Sequence, residues 1–426
     1  MIPNEVIDQI RDHDLVAILQ DEGLELKREG ANYKCCCPFH NEKTPSFVVS
    51  PSRNVAHCFG CNKTWDAIGF IREKNGMTFY EAVEYLAAKL QIQYEKREPT
   101  PEEREAQYHR DQLIAVNAAA QEYFQESFRR APAAVEYCKK RGWSDKTIQL
   151  FGIGFAPRGG GLCRFLLSKG WKKDLILEAG LAGINDETGE LYDAFRDRIV
   201  FPIWSKTGYI AGFTGRYVGD NEDVAKRMKY VNTKENDLFQ KRNMLFGWFQ
   251  AARQVSTGET VVICEGNPDV MRLHQIGVGN AVAPMGTALT QENIEFLKEK
   301  AKNVIIAGDM DASGLKATRE HGEALLQVGL RVRVMTWEYQ KNATPPDPKD
   351  PDEYFLKHPK GWAEALSRNT EDYLPWMAKS IMEGKATQTE VAAAITEVCR
   401  LLAMVRDENA VEMYLAAFVK EWKNQK

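Results

Sequence analysis

The chain lacks the features that would sort it quickly. It has no long hydrophobic run. Stretches such as Val261–Cys264 fall far short of the ~18 residues a membrane helix needs, so no membrane span is expected. It lacks a dominant charge. Lys and Arg number 56 and Asp and Glu 60, a net charge of −4, which excludes a simple polycation and leaves any nucleic-acid binding to local basic patches. The glycine run Arg158–Gly161 has no Gly-Lys-Ser/Thr ending, so it reads as a loop and no ATP-driven motor is expected. No Ser/His/Asp or Cys/His catalytic set stands out, and His13, His109, His274, His321 and His358 read as surface or packing residues. The first residues, Met1-Ile2-Pro3-Asn4-Glu5, are neither basic nor apolar enough for a secretory signal, which points to the cytoplasm.

What remains is ordinary in amount and uneven in placement. Hydrophobic residues at 44% and charged residues at 27% suit a soluble globular protein with real cores. At 426 residues the chain is too long for one ordinary domain. Residues 3–20 have the spacing of an amphipathic helix through Val6, Ile10, Leu15, Ile18 and Leu19. A helical stretch runs from Trp65 to Leu90. Residues 95–110 are charged, carry two prolines and lack apolar periodicity, so they read as a linker. Residues 111–151 are helical in pattern. Residues 152–258 mix glycines with strand-like runs such as Ile199–Phe201 and Tyr209–Ala211. From 259 to 340, short apolar runs (Val261–Cys264, Ala281–Ala283, Val304–Ala307, Val332–Met335) alternate with helical stretches, the signature of a parallel, helix-covered sheet. A proline- and aspartate-rich loop and its connection follow at 341–369. The remainder, 370–426, reads as helices. The expected fold class is thus multidomain α+β and α/β. It comprises a cysteine-bearing module at 1–94, the linker, a mixed basic subdomain at 111–258, a parallel-sheet subdomain at 259–340 and a helical end.

Five of the nine cysteines lie between Cys35 and Cys61. In a cytosolic chain this clustering points to metal and not to disulfides. Cys37-x2-His40 and Cys58-x2-Cys61 have matched gaps, each able to present two ligands from one tight turn. Four such ligands make a closed tetrahedral set of the kind that holds one structural Zn²⁺. Phe47–Val49 and Asn54–Ala56 can supply the hairpin of a zinc ribbon. Cys35, Cys36 and His57 stand close enough to compete. Lys34, Lys43, Arg53 and Lys63 on the same segment make a nucleic-acid surface plausible; the plainer reading is a folding staple.

Acidic groups stand where two of the expected parallel strands end: Glu265 with Asp269 after the first, Asp309 and Asp311 after the third. Ligands gather at the carboxyl ends of such strands. Gly266 and Gly308 would let the chain turn there. Crowded carboxylates are relieved by divalent cations, and Mg²⁺ or Mn²⁺ bound by oxygens suits phosphoryl or nucleotidyl transfer. The plainer alternative is that each Asp caps a helix.

This pattern, a strand-end Glu followed by D-x-D, resembles the Toprim fold of primases, topoisomerases and some nucleases. Cys37–Phe47 and His57–Cys61 look like the zinc domain of bacterial DnaG primases. Phe151–Pro157, Arg196–Ile203, Gly212–Arg216, Lys229–Asn232, Phe239–Lys241, Gly286–Thr290 and Asp350–Asp352 resemble that family in consistent order. Asn267-Pro268 and Asn62–Trp65 depart from its usual pattern. The resemblance implies a primase that makes short RNA primers on single-stranded DNA from ribonucleoside triphosphates. It implies two or more catalytic Mg²⁺ or Mn²⁺ at Glu265, Asp309 and Asp311, with Asp269, Asp350 and Asp352 as secondary acids. Arg141, Arg216, Lys229 and Lys241, with Arg196 and Arg198, would line a basic surface for DNA and nucleotide. A replicative helicase is the implied partner, although the family's usual helicase-docking domain finds no counterpart in residues 370–426. Rival readings are a Toprim nuclease or topoisomerase, and a non-catalytic zinc-containing DNA-binding protein.

Two basic patches agree with a phosphate-binding surface. Residues 129–146 and 226–242 each carry six Lys or Arg against two acids. Phosphate contacts from such patches give salt-dependent, sequence-tolerant binding. Tyr217, Tyr230 and Phe239 are candidates to stack on bases.

Overall fold

The structure is a computed structural model. It describes residues 4–419 apart from 53, 62, 76, 78, 95–99, 207, 287, 338–347, 359–365, 367, 383–386, 406–410 and 417. Arg53, Asn62, Thr287 and the loop at 341–347 therefore lie outside the described residues, as does the side chain of Lys63. The chain divides into two compact units, Met1–Gln107 and Tyr108–Lys426. Among the described residues no helix is long and apolar enough to cross a membrane.

The first unit is a five-stranded antiparallel sheet whose strands follow sequence order, Lys27–Glu29, Asn32–Cys35, Phe47–Ser50, Val55–Cys58 and Lys63–Trp65. Phe47 and Val49 alternate inward, as pleated strands require, and meet Ile10, Leu19, Phe70 and Leu86 from the helices. The expected helix over 3–20 is two helices, Asn4–Asp12 and Leu15–Asp21. Asp14 caps the second by accepting from Val16 N–H at 2.9 Å. Asn54 bridges the break, donating to the carbonyls of Arg11 and His13 and accepting from Leu15 N–H. Strong caps at a polar pair outweigh an apolar periodicity that runs through both helices.

The second unit begins inside a long helix, Pro101–Arg129, so helix occupies the described second half of the expected 95–110 linker. Leu113, Val116, Ala120 and Phe124 form its buried stripe at helical spacing. Phe124 meets Phe195 and Phe213 edge-on. That stripe covers a four-stranded antiparallel sheet ordered Tyr230–Asn232, Ile210–Tyr217, Arg198–Trp204, Gly154–Ala156.

A six-stranded sheet follows. Its four central strands are parallel, in the order Ala281–Pro284, Thr260–Cys264, Asn303–Ala307, Arg331–Met335. Both edges are antiparallel and come from outside the 259–340 span: Leu245–Phe246 on one side, Thr370–Asp372 on the other. Residues 370–372 are thus strand, where helix was expected. Alternation divides the sheet between two cores. Val262 and Cys264 face the core shared with the preceding subdomain, including Phe201 and Phe246. Val261 and Ile263 face a second core closed by Tyr373, Met377, Val398 and Leu401 of the C-terminal helices. Burial on both faces is why these strands read as unbroken apolar runs.

Candidate active site and metal centre

In the first unit Cys37, His40, Cys58 and Cys61 converge, one ligand atom from each lying within 4.8 Å of the others. The sulfurs of Cys37 and Cys61 are 4.0 Å apart, and Cys58 Sγ is 3.9 Å from His40 Nδ1. Such separations are those of the edges of a tetrahedron with zinc-ligand bond lengths, so the four residues fit the ion. Cys35, Cys36 and His57 are not in this group.

Glu42 organises the ligands, a residue the ligand spacing did not single out. One carboxylate oxygen accepts from Cys37 N–H at 2.6 Å and Ser46 N–H at 3.1 Å. The other meets His40 Nε2 at 3.0 Å and accepts from Ser46 Oγ at 2.6 Å. The Ser46 hydroxyl is the main cause holding Glu42 at about 2, so it is a permanent anion. A carboxylate on the far nitrogen of a ligating histidine fixes ring and tautomer. Gly60 is required for the same compactness, since a Cβ there would lie 2.6 Å from His40 Nε2.

The acidic centre lies at the carboxyl ends of the parallel strands. Glu265 follows Thr260–Cys264, and its Oε1 accepts from Asp309 N–H at 2.9 Å. Asp309 and Asp311 follow Asn303–Ala307 and point the same way, because Lys349 Nζ bridges them at 2.9 and 3.0 Å. Asp311 is also a helix cap, accepting from Gly314 N–H and Ser313 Oγ with its other oxygen. Asp350 caps the Pro351–Lys357 helix. Capping and cation binding are not exclusive, since a carboxylate has two oxygens.

The glycines here provide space. Gly266 has an extended backbone, and neither it nor Gly308 has a positive φ, which corrects the expectation of sharp turns. A Cβ at Gly308 would sit 2.6 Å from Thr318 Oγ1, and one at Gly314 would sit 2.7 Å from Glu265 Oε1. The sheet and the helix starting at Ala312 approach this closely only without side chains there.

Burial is the leading cause that raises Glu265, Asp309 and Asp350, the last to about 6; neighbouring carboxylates add to it. Asp311 is held at about 2, chiefly by Ser313. Lys349 is pushed above its usual range, first by its bond to Asp309. Oxygen donors crowded at one strand edge and costly to charge together are the donor set that divalent cations relieve.

Two expected acids are committed elsewhere. Asp269 is buried, one oxygen accepting from Gly266 N–H and the other from Asp352 N–H at 3.1 Å each. Asp352 is buried between two guanidiniums, Arg272 Nε at 2.8 Å and Arg141 Nη2. Arg272 is 3% exposed and also donates to the carbonyls of Gly142 and Arg141. Arg272 was missed, because nothing local in sequence marks an arginine whose partner lies 80 residues away.

The basic residues differ in surroundings. Lys229 is exposed and lies near Asp350, which opposes the lowering of its pKa by partial desolvation and by Arg216, Lys349 and Arg141. Arg216 donates to Tyr230 OH at 3.0 Å. Lys241 is exposed, its backbone held by Glu235. Arg196 is exposed and lines a separate cleft of about 430 Å³ with Arg164, Lys173 and Gly159–Gly161. There Asp193 takes the Leu162 and Cys163 amides. Arg198 is a correction. It is 4% exposed and donates to the carbonyls of Gly215 and Met228, so it ties strands together instead of facing solvent. Phe239 is fully buried and cannot stack on bases. In the first patch, Arg129 and Arg130 pair with Glu126, and Lys140 with Glu136.

Comparison with known proteins fits this arrangement segment by segment. Residues 2–102 match the CHC2 zinc finger, 123–252 the N-terminal domain of the DNA primase catalytic core, and 262–355 the Toprim-like family. The DNA primase of Clostridium acetobutylicum is 34% identical over 373 residues, 87% of this chain and 59% of that protein. The chain belongs to the bacterial DnaG primase family. The zinc-binding and RNA polymerase domains of Aquifex aeolicus primase superpose with a TM-score of 0.63 at 28% identity, covering 98% of this chain and 97% of that one. A DnaG primase catalytic domain solved bound to ssDNA gives a TM-score of 0.62 at 29% identity, covering 74% and 99%. The N-terminal module is thus the family's zinc ribbon, and the parallel sheet its Toprim-like region. The chain spans about three fifths of the length of the curated relatives it matches.

Proposed function

We propose that the chain is a DNA primase, a nucleotidyltransferase that joins ribonucleotides on a single-stranded DNA template. One observation carries this reading. Glu265, Asp309 and Asp311 are brought together at the end of a parallel sheet, with Asp350 near Lys229 and Arg216 next to that lysine. A primase relative bound to ssDNA supports the template.

Glu265, Asp309 and Asp311 would hold Mg²⁺ or Mn²⁺, with Asp350 adjacent. Such cations, when bound, offset charge that develops on a reacting triphosphate. Arg216, backed by Tyr230, and Lys229 would grip phosphates of nucleotide or template as fixed positive charges. Arg141, Arg272 and Asp352 fasten the loop that carries Lys349 and Asp350. Asp269 anchors the start of the same helix through Asp352 N–H. The 3′-hydroxyl of one ribonucleotide then attacks the α-phosphate of the next and pyrophosphate leaves. The zinc ribbon would hold template or select the start site. Lys241 would extend the basic surface, Arg196 would bind phosphate in its own cleft with Arg164 and Lys173, and a replicative helicase is the expected partner in a bacterial or phage-infected cytoplasm.

The test is incorporation of labelled ribonucleotides on several single-stranded DNAs with Mg²⁺ or Mn²⁺. Short, alkali-labile products complementary to the template are expected. Strand cleavage without nucleotides, and no synthesis, would place the chain with the Toprim nucleases instead.

A further inference from the structure

Lys349 occupies a built position. Its carbonyl accepts from Met310 N–H at 2.8 Å, and its own N–H donates to Glu353 Oε2 at 2.9 Å. The preceding carbonyl, Pro348, accepts from Trp337 Nε1 at 3.0 Å, and the following residue caps a helix. The backbone is therefore pinned on both sides, and Met310, which it grips, lies between Asp309 and Asp311. From that point the ammonium reaches both carboxylates. Among the described residues it is the one Lys or Arg paired with either.

A single positive charge there faces Asp309 and Asp311, with Glu265 next to them at the strand ends. It relieves their repulsion in part, as a metal ion would in full. The two cannot share the same oxygens, because like charges a few ångströms apart repel strongly where water is partly excluded. We propose that Lys349 is a tethered counter-cation that a divalent metal ion must displace from Asp309 and Asp311, so that this lysine sets how weakly the centre holds the ion. The proposal rests on the reading of those acids as the metal-holding group. With its backbone fixed, only the flexible stem moves. A triphosphate arriving with the ion offers the displaced ammonium a new anionic partner, so ion and nucleotide bind more tightly together than apart.

The test uses the full chain, zinc-loaded and stripped of other divalent ions. Mn²⁺ binding is measured by electron paramagnetic resonance for the parent, Lys349→Met, Lys349→Arg and Asp309→Asn. Lys349→Met is expected to bind Mn²⁺ about tenfold more tightly than the parent. It should also melt lower without Mn²⁺ and recover when Mn²⁺ is added. Lys349→Arg keeps the charge and should stay near the parent. If Asp309→Asn loses Mn²⁺ while Lys349→Met binds it no better than the parent, the counter-cation role is overturned and the metal site stands. If Asp309→Asn binds Mn²⁺ undiminished, the metal site itself is misplaced and the proposal falls with it.

Discussion

Replacing Arg272 by methionine should be among the most damaging single changes in the second unit. The guanidinium and the Asp352 carboxylate are both nearly inaccessible, with side chains 3% and 4% exposed. Removing the cation leaves Asp352 to Arg141 alone and takes donors from the carbonyls of Gly142 and Arg141. Breaking a buried ion pair from one side costs about 3–5 kcal/mol, because the partner charge stays behind. For a unit of this size that lowers the melting temperature by roughly 4–8 °C. Asp352→Asn should cost a similar amount. The double variant should cost less than the sum by about 2 kcal/mol or more, since no unpaired charge remains. Calorimetry on the four proteins decides it. A loss below about 1 kcal/mol for Arg272→Met, or additivity within about 0.5 kcal/mol, would refute the buried clamp. Activity should fall further than stability, because the clamp positions Lys349 and Asp350.

Other expectations follow from the same geometry. Glu42→Gln should weaken zinc binding roughly 10- to 100-fold by removing the anion on His40 Nε2, as read by competition with a chromogenic chelator; unchanged affinity would show the carboxylate is dispensable. His321 accepts from Leu289 N–H through Nε2 and burial lowers its pKa below 6.5. The folded state thus favours the neutral ring. Its contribution is full above pH 6.5 and declines as pH falls below that value. His321→Gln should flatten the loss of melting temperature between about pH 8 and about pH 5; His274, also lowered by burial, retains its share. Lys229→Ala should weaken single-stranded DNA binding and reduce its salt slope by about one. Arg198→Ala should instead lower the melting temperature, and a reversal of these two outcomes would overturn their placement by burial.

How much was legible in sequence depends on whether a signal was local. The parallel strands stood out because both faces are buried, leaving apolar runs bounded by Glu265 and by Asp309. The zinc ligands stood out because two ligands on one turn force a two-residue gap. Edge strands such as Leu245–Phe246 and Thr370–Asp372 are too short for periodicity to mark them. The pairing of Asp352 with Arg272, and of Lys349 with Asp309 and Asp311, joins residues that only the fold brings together. Arg198 looked like a surface base because a basic residue in a motif carries no sign of which way it faces. Its strand has six consecutive buried positions, so the guanidinium is satisfied by carbonyls. Glycines after strands suggested turns, whereas here they make room for carboxylates.

One side-by-side assay decides whether the acidic centre carries the chemistry. Parent and Asp309→Asn, each shown to be folded by its melting curve, are given single-stranded DNA, ribonucleoside triphosphates and Mg²⁺ or Mn²⁺. The parent should make short template-complementary RNA and the variant about a thousandfold less or lower still, as expected when a residue that stabilises the reacting charge is removed. Equal synthesis by both proteins would contradict this, because the acidic centre would then not be where the chemistry occurs.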